Sequence, residues 1–131
     1  MQPLRVPLLW LALGWGMVTV ACLGSLLPGR QVPMLAGYDK FYHVGTYLLL
    51  MVWFSGIYRR QRYPIIAFAL AVLGLALEFA QGLMVSRYFD TYDLIANLIG
   101  IAAGFVLAWT LVGGWCQVAE RLLFHGVRDK S

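Results

Sequence analysis

Four apolar runs, each close to bilayer-crossing length, constrain this chain more than any other feature. They cover Val6 to Leu27, Phe41 to Tyr58, Pro64 to Val85 and Leu94 to Val112. A hydrocarbon layer of roughly 30 Å takes about 20 apolar helical residues to cross. In lipid every backbone N–H and C=O must be satisfied within its own segment, so the runs predict four transmembrane helices. The alternating ~10-residue pattern of membrane strands is absent. Composition agrees: 61% of the 131 residues are hydrophobic and only 12% are charged, against about 45–50% and about 25% in soluble domains. The expectation is an all-α bundle forming a single membrane domain over residues 1–131, with no room for a separate soluble one.

Arginine and lysine set the expected orientation. With four spans, Arg5, the loop of Arg59, Arg60 and Arg62, and the tail with Arg121, Arg128 and Lys130 share one side. Arg30, Lys40 and Arg87 fall on the other. Positive charge favours the cytoplasm, which predicts both termini inside. The tail over residues 115–131, WCQVAERLLFHGVRDKS, mixes apolar and charged residues at helical spacing. It reads as a cytoplasmic amphipathic segment along the inner headgroups, with His125 solvated. The formal net charge of +4 then reports topology and contact with anionic lipid; membrane lipids are the expected partners, not nucleic acid.

The first run follows Arg5, and TVAC ending at Cys22 resembles a lipoprotein cleavage site. Thr19 is a poor residue at the aliphatic position, and the run exceeds a ~7–15-residue signal core, so a retained helix is expected. Cys22 and Cys116 have no metal-type spacing and read as packing thiols. Gly100 and Gly104 form a G-x-x-x-G, extended by Ala96 and Ala108, and Ala76 and Ala80 add small residues to the third run. Such residues let helices approach closely in lipid. The pattern leaves open whether the contact lies within one protomer or between two.

Polar residues fall at one depth. His43 lies one turn inward of Asp39 on the same face, beside Lys40. Glu78 lies about 14 residues beyond Pro64, roughly 21 Å along the third helix at about 1.5 Å per residue. Gln81 follows at i+3, Asp93 opens the fourth run, and Asn97 lies one turn deeper. The connecting loop VSRYFDTYD carries Arg87 and Asp90. Burying such groups singly in lipid is costly, so the economical solution turns His43, Glu78, Gln81, Arg87, Asp93 and Asn97 inward into a polar pocket open to the outer face. Plainer roles compete residue by residue. Asp39 and Asp90 suit helix N-caps. Asp93 suits the positive end of the fourth helix, Asn97 suits helix–helix hydrogen bonding, and Arg87 suits contact with phosphate. No cap or dipole explains Glu78.

DKFYHVGTY at Asp39–Tyr47, LEFAQG at Leu77–Gly82 and SRYFDTYDLIANLIG at Ser86–Gly100 resemble the VanZ-like membrane protein family. The matching positions are Asp39, Lys40, His43, Glu78, Gln81, Arg87, Asp93, Asn97 and Gly100, within a region of residues 37–112. The resemblance implies a multi-pass protein of the bacterial cytoplasmic (inner) membrane and cell envelope. It also implies a link to glycopeptide (teicoplanin-type) antibiotic resistance, with no agreed chemical activity.

Two functions fit these residues. In the first, the pocket binds an amphiphilic anion such as a lipid-linked or lipoglycopeptide ligand, with Lys40, Gln81, Arg87 and Asn97 as binding groups. Tyr42, Tyr88, Phe89 and Tyr92 would form its interfacial rim. In the second, a membrane enzyme acts on a lipid-linked envelope substrate. There His43 is general base, oriented by Glu78 or Asp93, and Arg87 steadies developing charge. Ser86 lacks an activating motif, so water would attack. A metal site of His43 with Glu78 and Asp93 is a further alternative, but these residues are scattered along the chain without a local zinc motif, so no metal or cofactor is expected. The absence of acidic residues through the inner half argues against a proton-coupled transporter.

Overall fold

A computed structural model describes residues 1–26, 39–84 and 88–125. The Pro28-Gly29 break, Arg30, Ser86, Arg87, Arg128 and Lys130 lie outside the described residues, as do the side chains of Asp39 and His125. Among the described residues all regular structure is helical: α1 (Pro7–Leu26), α2 (Asp39–Ile57), α3 (Tyr63–Gly82), α4 (Thr91–Leu107) and α5 (Trp115–His125). A short 3-10 turn, Arg60–Arg62, leads into α3, and a π turn, Ala108–Val112, prolongs α4. Pro64 occupies the first turn of α3, where its missing N–H costs nothing.

Three of these helical stretches are long and apolar enough to cross a membrane: Pro7–Leu26, Arg60–Gly82 and Thr91–Val112. The protein is therefore a membrane protein. The fourth expected span, α2, is not among them. At 19 residues it is about 28 Å long at about 1.5 Å per residue, but Lys40, His43 and two tyrosines dilute its apolar character. The physical reason lies in its position. α2 packs against α1, α3, α4 and α5, and Tyr47, Leu50, Met51, Phe54 and Ile57 are buried. A helix shielded by its neighbours can carry polar groups that a lipid-facing helix cannot. The outward residues of α1, among them Leu8, Leu9, Leu13 and Val20, are exposed and apolar.

Successive helices alternate in direction. The Gln2 amide donates to Ile57 O at 2.8 Å, joining the start of α1 to the end of α2. Gln81 donates to Ser25 O at 2.7 Å, joining the ends of α1 and α3. Lys40 reaches Asp93 at 3.2 Å, joining the starts of α2 and α4. The bundle thus has one end carrying the polar residues and another carrying the N-terminus and α5. The G-x-x-x-G packs within the protomer. A Cβ on Gly100 would collide with the Val44 carbonyl oxygen, and one on Gly104 would lie 2.8 Å from Met51 Cβ. Small residues bring the α4 and α2 backbones together, and this seam sets the register of the polar residues above it.

At the terminal end, Trp10, Trp53 and Trp115 cluster with ring centroids 5.2–5.7 Å apart. Each indole N–H is satisfied: Trp53 donates to Trp10 O at 3.1 Å, Trp115 to Val52 O at 3.0 Å, and Trp10 to Glu120 at 2.9 Å. Glu120 also accepts from the Arg5 amide at 2.6 Å and the Val6 amide at 3.0 Å. A residue of the amphipathic tail thereby serves as the anionic cap of α1, two orphan N–H groups being satisfied where the helix dipole is positive. Only one face of α5 is solvent-like: Cys116 and Glu120, one turn apart, are buried. Burial pushes the Glu120 carboxyl up, but the three donors outweigh it and hold it below the ordinary 4.5. Its stabilisation is complete above that value and fades as the pH falls through the lower folded-state value. Glu120→Gln should therefore cost about 1–3 kcal/mol at neutral pH. In denaturant titrations of detergent-solubilised protein, the gap from wild type should narrow when the pH is taken from neutral to below the ordinary carboxylate range. A gap of equal size at both pH values would contradict the ionic cap.

Candidate functional site

The starts of α2 and α4 and the last turn of α3 bring four polar side chains together beneath the polar end. His43 is 6% exposed, Glu78 1%, Asp93 7% and Asn97 2%. Burial to this degree is rare for acids unless they are paired or used. Asp90 caps α4, accepting from the Tyr92 amide at 2.8 Å, as its sequence position predicts. That amide and the nearby Lys40 ammonium hold the Asp90 carboxyl below its ordinary range. The cap fixes where α4 begins, and so places Asp93 in the first turn and Asn97 one turn on.

His43 Nδ1 lies 2.9 Å from Asn97 Oδ1. A carbonyl oxygen only accepts, so Nδ1 carries the proton and the ring is held by α4. Nε2 then faces Asp93 Oδ2 at 3.6 Å, too far for a strong hydrogen bond. The other Asp93 oxygen meets Lys40 Nζ at 3.2 Å, and Lys40 also meets Asp90 at 3.4 Å. Glu78 comes in from α3. One ligand atom each of His43, Glu78 and Asp93 lies within 4.8 Å of the others, and Glu78 Oε2 is buried without a hydrogen-bond donor among the described residues. The arrangement can orient an imidazole between two carboxylates and deliver its Nε2 to a proton or a cation.

The other expected site residues are placed differently. Gln81 is buried with its amide spent on the end of α1. Lys40 has two acidic partners, so its charge is largely offset where the binding reading needs it. Arg87 lies outside the described residues. Tyr42, Tyr88, Phe89 and Tyr92 are exposed around this end. An open hollow of about 220 Å³ lies beside the cluster, between Lys40, Phe41 and Val44 of α2 and Tyr92, Ile95 and Ile99 of α4. Sequence reasoning missed this hollow, because its apolar walls are indistinguishable in sequence from lipid-facing surface.

Comparison with known families decides the relationship. The VanZ/LLP1 family model matches residues 9–112, a stretch that runs from the first turn of α1 through α4 and includes every member of the buried cluster. The chain belongs to the VanZ/LLP1 family. A curated protein of the fission yeast Schizosaccharomyces pombe, named "Uncharacterized protein C11E3.10", is 31% identical over 84 residues, covering 61% of this chain and 50% of the relative. The chain thus spans about half the length of that curated relative. No solved structure matches. In this VanZ/LLP1 member the family region and the buried polar cluster coincide, whereas α5 and its Glu120 cap lie beyond the matched residues.

Proposed function

We propose that this VanZ/LLP1 protein crosses the membrane four times with both termini in the cytoplasm and binds an amphiphilic anion at its outward-facing polar end. The apolar part of the ligand lies in the hollow between α2 and α4, and its phosphate or carboxylate reaches Lys40, Arg87 and the buried cluster. The observation that carries this reading is the adjacency of an open apolar hollow and a buried polar cluster at the starts of the same two helices. In a bacterial inner membrane the ligand would be a lipid-linked envelope precursor. Shielding it would give resistance to teicoplanin-type glycopeptides.

A photoactivatable analogue of an anionic phospholipid, presented to the protein in nanodiscs, tests the reading. Wild type is labelled between α2 and α4. Ile95→Trp, which fills the hollow, cuts labelling by excluding the apolar part of the probe, and Arg87→Ala, which removes a cation, cuts it about tenfold, the size of one lost charge-assisted contact. Labelling that is equal in all three proteins rejects the binding site.

The hold of Asn97 on His43 Nδ1, which leaves the Nε2 lone pair to take a proton, favours one second reading. Here His43 acts as general base on a lipid-linked substrate, activating water. Turnover of such a substrate by purified protein, lost in His43→Ala, would support it; no turnover across a broad panel of envelope lipids would reject it.

A further inference from the structure

We propose that His43, Glu78 and Asp93 form a binding site for one divalent metal ion of the Mn²⁺ or Zn²⁺ class. The three residues are far apart in the chain, so no local motif announces them. The fold gathers one from each of α2, α3 and α4.

Three observations point to a cation. The first is donor chemistry. One imidazole nitrogen and two carboxylates form a mixed N/O set that suits a first-row divalent ion, and three protein ligands leave positions open. Ligands at about 2.0–2.2 Å from a shared ion stand at most about 4.4 Å apart; a small contraction of the observed cluster, all within 4.8 Å, brings them into range. The second is the state of His43. Its Nδ1–H is committed to Asn97 at 2.9 Å, which turns the Nε2 lone pair toward the carboxylates. A metal-bound histidine is oriented by an outer partner in this way. The third is charge. Glu78 Oε2 is buried and has no donor among the described residues. Asp93 gives one oxygen to Lys40 and turns the other toward His43 Nε2. Three carboxylates (Glu78, Asp90 and Asp93) share a single ammonium, that of Lys40, among the described residues. When all are ionised, two negative charges remain, the charge that one divalent ion brings.

The ion also resolves a difficulty in the binding reading. A site with excess negative charge repels an anion, and Lys40 is already engaged. A bound divalent ion reverses the local sign and offers open positions to a phosphate or carboxylate oxygen. The inference rests on the binding reading for that headgroup, and on the cluster alone for the ion itself.

The test begins with full-length protein in nanodiscs, stripped with chelator and titrated with Mn²⁺ followed by electron paramagnetic resonance, and with Zn²⁺ against a chromogenic chelator. Wild type should bind one ion per chain. Glu78→Gln and Asp93→Asn should each weaken binding by more than about tenfold, and Asn97→Leu by about tenfold through the freed imidazole. Helical circular dichroism and gel filtration verify the fold of each variant. No stoichiometric ion in folded wild type overturns the proposal whatever the variants do, as does unchanged affinity in folded Glu78→Gln. The photoactivatable lipid separates the two readings. Labelling that persists in ion-free protein, with no ion ever bound, leaves the binding site standing and removes the metal. An ion bound at the cluster with no labelling leaves the metal standing and removes the proposed ligand.

Discussion

Gly100→Ala should destabilise the bundle by about 3 kcal/mol or more, an overpacking cost at the upper end of those seen in cores. The added methyl would meet the Val44 carbonyl oxygen and the Leu48 amide of α2. Those atoms belong to helix backbone and cannot rotate away, so α2 and α4 must separate along the seam. His43 sits one residue before Val44, and Asn97 one turn before Gly100. Separation would therefore stretch the His43–Asn97 bond and pull Asp93 from Lys40. Gly45→Ala is the control, because nothing lies within 4 Å of a Cβ placed there. It should be neutral or stabilising by up to about 1 kcal/mol, the helix propensity gained. Unfolding in mixed micelles of increasing SDS content compares the two. Equal behaviour would mean that the seam between α2 and α4 does not hold the bundle.

Much of this architecture was legible because lipid imposes simple rules. Helix existence followed from run length, and the observed α1, Pro7–Leu26, starts one residue after the expected Val6. Asp90 was readable as a cap because an aspartate before an apolar run has a local partner in its own next turn. The convergence of His43, Glu78, Asp93 and Asn97 was readable because groups costly in lipid at one depth must find one another. What sequence could not supply were pairings between distant residues. Gln81 was expected at the ligand, and its amide instead ties α3 to α1. Lys40 was expected to offer a charge, and that charge meets Asp90 and Asp93 first. Glu120 passed for a tail charge; its spacing from Cys116 was the one local hint that it faces inward, and its partners lie more than a hundred residues away. The G-x-x-x-G announced close packing, but only the fold shows that its partner is α2.

Buried polar groups either hold a fold together or are kept for use at its expense, and Glu78 separates the two cases. A carboxylate with an unsatisfied oxygen, near a second carboxylate, destabilises the empty protein. Glu78→Gln keeps the shape and removes the charge. It should stabilise the metal-free protein by about 1–3 kcal/mol, while weakening both ion binding and capture of the anionic lipid. A structural network would respond in the opposite direction, since breaking one buried partner of a satisfied set is destabilising. The most direct measurement is the thermal unfolding midpoint of wild type and Glu78→Gln in chelator-treated detergent solution. A higher midpoint for Glu78→Gln is the predicted result, and a lower one would contradict a cluster maintained for function.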